Sequence, residues 1–248
     1  MTFTGRTAVV TGGGTGLGRA IALALAANGA QVGLNYSRSR AEAEATAAEI
    51  QAMGPRSLAV AADVSDPDAV GELVAAVEGA LGPVDLLVNN AGTGRPIPFD
   101  DLASVTSEDW SSMLSVNVVG AFLVTQAVVG GMIDRGFGSV LNVASNSAFL
   151  AAGSSIPYVV SKSALVSLTQ CLARALPSSV TVNCVAPGWM PTRWLERTVP
   201  DSTRELIETG ALPSVTVEQV AESALHLLGS RAITGQVLVV DDGEMWRT

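Results

Sequence analysis

The most constraining feature of this chain is a regular alternation of β-branched runs with Ala- and Leu-rich amphipathic stretches along its whole length. The predicted strands cover residues 6–11, 31–36, 57–61, 84–89, 139–143, 180–186 and 236–240. The predicted helices cover residues 17–28, 40–53, 67–81, 107–135, 157–176 and 217–228. Because most of the connections between them are short, the pattern favours a parallel seven-stranded sheet with helices on both faces.

The whole chain is predicted to form a single doubly wound (Rossmann) α/β domain over residues 1–248. Of its 248 residues, 48% are hydrophobic and 15% are charged, which allows a large buried sheet. No repeat, charge run or flexible linker divides it. The least regular stretch is residues 189–215, which holds three prolines. We predict that this stretch, the lid segment, covers the substrate; an ordinary surface insertion is the alternative.

The charge of the chain argues against several classes of partner. A net charge of −9 and a pI near 4.6 disfavour nucleic acid and anionic membranes, but a local arginine or helix terminus can still bind a phosphorylated cofactor. No uninterrupted apolar run reaches the roughly 18 residues of a membrane span. The N-terminus leads directly into a strand rather than a signal peptide, so a cytoplasmic location is expected.

Cysteine and histidine are too few to build a metal site. The chain has one histidine and two cysteines, and we expect no metal. Cys171 and Cys184 lie in a predicted helix and a predicted buried strand. They are expected to be reduced thiols within the core, although their number alone would allow a disulfide.

The first strand is followed by a glycine-rich sequence, TGGGTGLG, at residues 11–18, which we call the glycine turn. It leads directly into the first helix, so backbone N–H groups and the helix N-terminus are available to a dinucleotide pyrophosphate. The spacing differs from the G-x-G-x-x-G of long-chain dehydrogenases, and a plain glycine-rich turn is the alternative. The predicted cofactor contacts here are Gly12, Thr15, Gly16, Leu17 and Gly18.

The end of the second strand predicts which dinucleotide is bound. A ribose 2′-hydroxyl requires an acidic partner, whereas a 2′-phosphate requires a cation or hydroxyl donors. Residues 35–40 read NYSRSR, and no acid occurs before Glu42. We therefore assign Ser37 and Arg38 to the 2′-phosphate and predict that NADP(H) is preferred, with NAD(H) as a second cofactor. A solvated loop arginine is the alternative for Arg38.

Two further strand ends are predicted to contribute to the same site, because the carboxyl ends of parallel strands meet at one edge of a sheet. Asp63 and Val64 follow the third strand, where the carboxylate could accept from the adenine amino group. Asp63 could instead cap the helix that starts near residue 67. Asn89, Ala91 and Gly92 follow the fourth strand, where small residues let the backbone pass close to a cofactor.

A tyrosine, a lysine and a serine form the predicted catalytic set. Tyr158 and Lys162 are four residues apart on a predicted helix, so they share a face, and Ser145 precedes the tyrosine by thirteen residues. A tyrosine with a pKa of about 10 is a poor acid or base at neutral pH, and a neighbouring ammonium favours its phenolate. Taken alone, the pair could equally be a half-buried tyrosine beside a surface lysine.

These motifs, with Asn117 and Pro187-Gly188, resemble those of the short-chain dehydrogenase/reductase family over residues 6–243. By that resemblance Tyr158 is the general acid in reduction and Ser145 hydrogen-bonds the substrate oxygen. Lys162 would hold the nicotinamide ribose and lower the pKa of the tyrosine. Tyr158 and Lys162 would thus also contact the cofactor. Asn117 would hold a water linking the lysine to solvent, and Pro187, Gly188 and Thr192 would contact the nicotinamide end.

Within the family the chain is most similar to the 3-oxoacyl-(acyl-carrier-protein) reductase type. The resemblance implies an NADP(H)-dependent oxidoreductase acting on a ketone or secondary alcohol. The substrate would be a 3-oxoacyl thioester or, alternatively, a sugar, steroid or polyketide-type compound, and Ser154, Ser155 and Trp189 are expected near it. An NADP(H)-binding sensor is the non-enzymatic alternative. Asp242, where a second glycine is usual, and the absence of an arginine from residues 209–215 weaken the acyl-thioester assignment.

The two longest predicted helices, residues 107–135 and 157–176, carry more apolar positions than one buried face requires. Such excess apolar surface indicates a symmetric interface between copies of the chain. We expect a homotetramer, with a dimer as the alternative.

Overall fold

A computed structural model of the chain describes residues 2–199 and 201–246. Within that part, seven strands form one sheet with every neighbouring pair parallel. The strands are β1 (Thr7–Val10), β2 (Gln31–Tyr36), β3 (Ser57–Ala61), β4 (Val84–Asn89), β5 (Gly138–Val143), β6 (Val180–Pro187) and β7 (Val237–Val240). Their order in the sheet is β3-β2-β1-β4-β5-β6-β7. The predicted seven-stranded doubly wound fold is therefore confirmed, with every predicted strand present.

Helices connect the strands across both faces of the sheet. They are α1 (Gly16–Ala27), α2 (Arg40–Ala52), α3 (Pro67–Leu81), α4 (Ser107–Leu114), α5 (Ala121–Asp134), α6 (Ser147–Leu150), α7 (Ile156–Ala175), α8 (Arg193–Thr198), α9 (Asp201–Glu208) and α10 (Val217–Gly229). The long predicted helix is divided by a π-helical stretch, Ser115–Gly120, between α4 and α5. Three helices were not predicted: α6, and α8 and α9 within the lid segment.

The strands are buried on both faces because alternate side chains enter different core layers. On β1, Ala8 and Val10 pack with helices α1 and α10, whereas Val9 packs with helices α3 and α5. On β4, Val88 joins the first layer and Leu87 the second. This two-sided burial explains why the strands read as continuous Val and Leu runs rather than alternating apolar and polar residues.

The sheet topology places a crevice beside β1. The chain leaves β1 toward β2 and β3 on one side, and it crosses to β4 on the other. In doubly wound sheets, ligands bind outside the carboxyl ends of the strands at such a switch point. The glycine turn follows β1 here, and residues 89–92 follow β4.

One helical stretch passes a simple composition test for a membrane span. The continuous helical stretch Ser107–Asp134 contains an 18-residue window with a mean hydropathy of 1.8, long and apolar enough to span a membrane by length and composition. Polar residues such as Asn117 interrupt its apolar run, but the mean hydropathy of the window stays as high as that of a membrane-spanning helix. Core helices of folded domains pass the same test. Val124, Val128 and Met132 of this helix are buried in the core layer on the sheet.

The two cysteines differ in their surroundings. Both are free thiols, but only Cys184, on β6, is buried, and Cys171, on α7, is exposed. The expectation that both lie in the core is therefore wrong for Cys171, because it falls on the outward face of its helix. Among the described residues, no group of three or more His, Cys, Asp or Glu side chains is placed to hold a metal ion.

Candidate active site

The glycine turn is tied to the loop after β4 by a compact set of hydrogen bonds. The Thr11 hydroxyl accepts from the backbone N–H groups of Asn90 and Ala91, both at 2.9 Å. The Asn90 side-chain amide donates to the carbonyls of Thr11 at 2.9 Å and Gly12 at 3.2 Å. Thr11 and Asn90 were absent from the predicted set. Their sequence signal is only that each adjoins a residue that was included.

The turn leaves no room for a side chain at Gly18 and leaves the N-terminus of α1 open. A Cβ at Gly18 would lie 2.3 Å from the Gly12 carbonyl oxygen, so only glycine allows this close approach. Thr15, at the helix N-cap, makes no capping hydrogen bond through its side chain, and the first turn contains no acidic residue. Free backbone N–H groups at a helix N-terminus attract anions, so the site fits a dinucleotide pyrophosphate.

Asn89 lies behind this surface rather than on it. Its side-chain amide donates to the Asn142 side chain at 2.9 Å and to the Thr125 hydroxyl at 3.0 Å, which ties β4 to β5 and α5. It is 3% exposed, and its side-chain oxygen has no protein partner. The Asn89 side chain thus joins β4 to its neighbours, and within this loop it is Asn90 and Ala91 that lie against the glycine turn.

Asp63 forms a local turn after β3. Its carboxylate accepts from the N–H of Ser65 at 2.9 Å and from the Ser65 hydroxyl at 2.7 Å. These bonds, with the positive charge of Arg38, hold the pKa of Asp63 below its usual value. The alternative that Asp63 caps the next helix is wrong, because Asp66 caps α3. Val64 beside it is buried.

The residues after β2 carry exposed positive charge. Ser37 and Arg38 are both exposed at the end of the strand. Arg40, two residues on, donates from Nε to the Tyr36 hydroxyl at 3.0 Å. The side chain of Asn35 faces inward instead, and its oxygen accepts from the Gly12 N–H at 3.4 Å. Two arginines therefore lie where the sequence led us to expect one phosphate-binding cation.

The structure brings Ser145 and Tyr158 together. Ser145 follows β5, and Tyr158 lies in the first turn of α7, where Pro157 precedes it. Their side chains are close enough to interact, and the Ser145 hydroxyl accepts from the Ser147 N–H at 3.2 Å. Burial raises the pKa of Tyr158 to about 12, and the interaction with Ser145 opposes that shift. The tyrosine is therefore neutral at physiological pH.

Lys162 is buried below the tyrosine. Its ammonium donates to the Val143 carbonyl at 2.8 Å and lies 5.8 Å from the centroid of the Tyr158 ring. Burial lowers the pKa of Lys162 to about 8. Burial also raises the pKa of the nearby Cys184 thiol to about 11. The expected lowering of the Tyr158 pKa by Lys162 is not seen here, because the ammonium is turned toward the β5 backbone.

Asn117 clamps the loop after β4 to helix α7. It lies in the π-helical stretch and is 1% exposed. Its side-chain oxygen accepts from the Thr93 N–H at 2.7 Å, and its amide donates to the Thr93 carbonyl at 3.0 Å and to the Ser161 hydroxyl at 2.9 Å. A Cβ at Gly92 would lie 3.3 Å from the Asn117 side-chain oxygen and 3.6 Å from the Lys162 ammonium. Asn117 therefore lies within the same cluster as Lys162.

An aromatic residue of the lid segment covers the tyrosine. The ring centroids of Trp194 and Tyr158 are 6.0 Å apart. A Cβ at Gly94 would lie 3.1 Å from the Trp194 ring and 3.2 Å from the Tyr158 ring, so these three residues are in close contact. Trp194 was not predicted. Trp189 was singled out from the sequence instead, and no local pattern distinguishes Trp194.

The start of the lid segment lies against the cofactor end of the crevice. The Thr192 methyl group would be 3.9 Å from a Cβ at Gly16, so Thr192 adjoins the glycine turn. Arg193 forms an ion pair with Glu42 of α2 at 2.9 Å. Pro187 and Gly188 end β6 at the same edge of the sheet, where the Pro187 carbonyl accepts from the Asn146 N–H at 2.9 Å.

Of the two serines expected near the substrate, Ser155 has its hydroxyl engaged by the protein and Ser154 does not. Ser155 is fully buried and its hydroxyl contacts the Met113 sulfur at 3.8 Å. The Ser154 carbonyl accepts from the Ile97 N–H at 2.8 Å, and its buried hydroxyl has no protein partner. Ser155 therefore supports the loop before α7 through its side chain, and Ser154 does so only through its backbone.

Comparison with known proteins assigns the chain to a family. The family model described as short chain dehydrogenase matches residues 6–203. The chain belongs to the short-chain dehydrogenase/reductase family. It is accordingly an oxidoreductase of ketones and alcohols, and the family resemblance inferred from its motifs is confirmed. Its nicotinamide dinucleotide is NAD(H) or NADP(H).

Several known members are similar over most of their length. A putative ketoacyl reductase 2 of the granaticin polyketide synthase from Streptomyces violaceoruber is 40% identical over 192 residues, covering 76% of this chain and 77% of that one. The 3-oxoacyl-[acyl-carrier-protein] reductase of Thermotoga maritima is 34% identical over 190 residues, covering 73% and 74%. The crystal structure of levodione reductase superposes with a TM-score of 0.90 at 28% identity, covering 99% of this chain and 100% of that one.

Proposed function

We propose that this short-chain dehydrogenase is an NADP(H)-dependent reductase of ketones, or in reverse a dehydrogenase of secondary alcohols. The observation that carries the proposal is that the side chains of Ser145 and Tyr158 interact at the carboxyl edge of the sheet, after β5 and in the first turn of α7. Two hydroxyls side by side can both donate to one carbonyl oxygen. The non-enzymatic alternative, a cofactor-binding sensor, gives this pair no role.

The proposed roles of the side chains follow from their protonation. The bound nicotinamide would supply the hydride in reduction. As negative charge develops on the carbonyl oxygen, the hydroxyls of Ser145 and Tyr158 stabilise it, and Tyr158 transfers its proton. Because burial keeps the pKa of Tyr158 at about 12, the phenol is fully protonated at neutral pH. Lys162 is the nearby cation available to stabilise the phenolate that remains.

The proposed preference for NADP(H) rests on the end of β2. Ser37 and Arg38 are exposed there, and Arg40 adds a second guanidinium held by Tyr36. The carboxylate of Asp63 lies within electrostatic reach of Arg38, but it is engaged by Ser65. A 2′-phosphate would thus meet two guanidinium groups and a hydroxyl, which is the chemistry that distinguishes NADP(H) from NAD(H).

The proposed substrate is a polyketide-type ketone, with a 3-oxoacyl thioester as the nearest alternative. The granaticin ketoacyl reductase relative supports this class, and so does the indole of Trp194 beside Tyr158, which offers a flat apolar wall to a planar ketone. A relative named gluconate 5-dehydrogenase, from Gluconobacter oxydans, is 37% identical over 199 residues. A sugar acid is the less favoured class here, because an indole wall gives few hydrogen bonds to hydroxyls.

The test is turnover of NADPH and NADH with a panel of substrates. The panel contains cyclic and aromatic diketones, acetoacetyl-CoA and 5-ketogluconate. We expect consumption of NADPH with the diketones. Tyr158→Phe should lower the rate by orders of magnitude while leaving the NADPH dissociation constant nearly unchanged. Arg38→Ala should weaken binding of NADPH and not of NADH. Turnover retained by Tyr158→Phe, or equal efficiency with both cofactors, would contradict the respective assignment.

A further inference from the structure

The C-terminal segment carries an acidic side chain that joins two parts of the active site. Strand β7 lies parallel to β6, with Val240 paired to Pro187, so the chain after β7 emerges at the catalytic edge of the sheet. There the Glu244 carboxylate accepts from the Asn146 side-chain amide and from the Trp189 indole N–H, both at 2.7 Å. Two bonds of this length to an ionised acceptor are among the stronger hydrogen bonds in proteins.

The turn before Glu244 is built to hold it in place. The buried Asp241 carboxylate accepts from the N–H of Gly243 at 2.9 Å and from that of Met245 at 3.0 Å, on either side of Glu244. Asp242 adopts a left-handed conformation, with φ of 53°. Asp242, which stands where the family usually has a second glycine, thus lies in the turn that presents Glu244 to the active site.

The first donor, Asn146, is adjacent to Ser145, whose side chain interacts with the catalytic tyrosine. Asn146 is 6% exposed, and its backbone N–H donates to the Pro187 carbonyl at 2.9 Å. With the backbone and side chain of Asn146 both held, the turn from Ser145 to Ser147 has little freedom. That turn fixes the direction of the Ser145 hydroxyl, which the Ser147 N–H also contacts.

The second donor, Trp189, lies at the base of the lid segment. Its carbonyl accepts from the Val215 N–H at 2.9 Å, so the first and last residues of the lid segment are bonded to each other. Trp194, which covers Tyr158, follows five residues later. Fixing the Trp189 indole therefore fixes the point from which α8 and Trp194 extend.

We propose that Glu244 is a positioning residue that sets the Ser145 hydroxyl and the base of the lid segment at the same time. It contacts neither Ser145 nor Tyr158 directly, and it acts on them through Asn146 and Trp189. The inference rests on the proposed function, because it assigns Ser145 a role in turnover.

Steady-state kinetics separates the effect of Glu244 on Ser145, through Asn146, from its effect on the lid segment, through Trp189. Glu244→Ala should lower kcat on the order of tenfold, the size expected for one charged hydrogen bond lost in full, and should also raise KM for the ketone. Asn146→Ala should lower kcat alone, and Trp189→Phe, which removes only the indole N–H, should raise KM alone. The double variant of Asn146→Ala and Glu244→Ala should have the kcat of either single variant, because the two residues act in series.

Two further readouts distinguish positioning from support of the fold. A displaced Ser145 would no longer favour the phenolate, so the pH at which alcohol oxidation rises should move upward in Glu244→Ala. Glu244→Gln should restore most of kcat, since its oxygen can accept from Trp189 while its amide donates to a rotated Asn146 side chain. Glu72→Ala, at an exposed position on α3, is the control and should behave as wild type.

Either of two results would overturn the proposal. One is a Glu244→Ala variant with wild-type kcat, KM and pH profile. The other is lost activity with lowered thermal stability and an unmoved pH profile, which would show a structural role only. If Glu244→Ala does not fold, Asn146→Ala decides, and an unchanged kcat in it overturns the proposal. Failure of the proposed function would appear separately, as turnover retained by Tyr158→Phe.

Discussion

At the scale of single residues, the active site is built from ionisable groups that the fold has taken out of water. Lys162 is 5% exposed and Tyr158 is 9% exposed. Burial moves the pKa of each toward its neutral form, down to about 8 for the lysine and up to about 12 for the tyrosine. The free protein thus keeps the Lys162 ammonium buried, which lowers its folding stability. This loss of stability accompanies a site that is already arranged for binding.

The lysine offers a direct measurement of this cost. Lys162 is the only lysine in the chain, so a lysine-selective isotope label gives one side-chain NMR signal. We expect that signal to titrate near pH 8 in the free protein and at higher pH once NADPH is bound, because the cofactor adds negative charge and hydrogen-bond acceptors. A titration near the ordinary 10.5 in the free protein would contradict the buried position.

The same shift predicts how stability depends on pH. Between about pH 8 and 10.5 the unfolded lysine holds a proton that the folded one has lost, so unfolding free energy contributed by Lys162 rises with pH in that window. Lys162→Met removes the buried charge and should stabilise the free protein at neutral pH by about 1–3 kcal/mol. In denaturant titrations, the gain in unfolding free energy of Lys162→Met over wild type should shrink above pH 8. The variant should also lose turnover. A constant advantage across that range would contradict the assignment.

At the scale of elements, the glycine turn and helix α1 act as one unit. Gly18 lies against the Gly12 carbonyl, so Gly18→Ala must open the turn and separate it from Asn90. We expect this variant to lose NADPH binding, measured by quenching of protein fluorescence, and to unfold at a lower temperature.

The matched control for Gly18→Ala is Gly71→Ala on α3. Gly71 is also a helical glycine, but a Cβ there meets nothing within 4 Å. Alanine should stabilise that helix by about 0.5–1 kcal/mol without changing NADPH binding. If both variants bound NADPH as wild type does, close packing of the turn would not be required for cofactor binding.

The lid segment supplies the second prediction at this scale. Trp194 contacts Tyr158 and Gly94, so Trp194→Ala should expose the tyrosine to water and enlarge the space above it. We expect catalytic efficiency to fall for small cyclic ketones and to rise for bulky ones, with a lower apparent pKa of Tyr158 in alcohol oxidation. Leu206→Ala, at a position of the same lid segment that is 46% exposed, is the control. The same loss in both variants would assign the effect to the lid segment in general.

Sequence patterns predicted the regular elements well and the contacts between them less well. Strands and helices were predicted from local periodicity, which needs no knowledge of neighbours. Ser145, Tyr158 and Lys162 were found because their spacing repeats a known motif. Trp194 and Glu244 were not, because their importance comes from tertiary contacts with residues far away in the chain. The lid helices α8 and α9 were missed because they are only 6 and 8 residues long, which is too short for a helical pattern to stand out from a loop.

At the scale of the whole molecule, apolar surface remains where the α5 and α7 helices face outward. Phe122 of α5 is 40% exposed and Val160 of α7 is 41% exposed, and α7 packs beside the π-helical stretch that leads into α5. Only 39% of the apolar window in Ser107–Asp134 is buried within one chain. Apolar helical surface of this kind on a family member of net charge −9 indicates a self-complementary interface, and we propose a homotetramer.

The interface can be tested without altering the active site. Phe122→Glu places a charge on this helical face, and pairing two copies would then bury like charges, so we expect dissociation to dimers or monomers in sedimentation velocity. Met53→Glu introduces the same charge at a residue that is 45% exposed beyond the end of α2, and it should sediment as wild type. A wild-type chain that is monomeric at micromolar concentration would contradict the tetramer. A Phe122→Glu variant that assembles like wild type would place the interface elsewhere.

Since α7 also carries Tyr158 and Lys162, a dissociated variant should in addition lose part of its turnover, which links assembly to the catalytic helix.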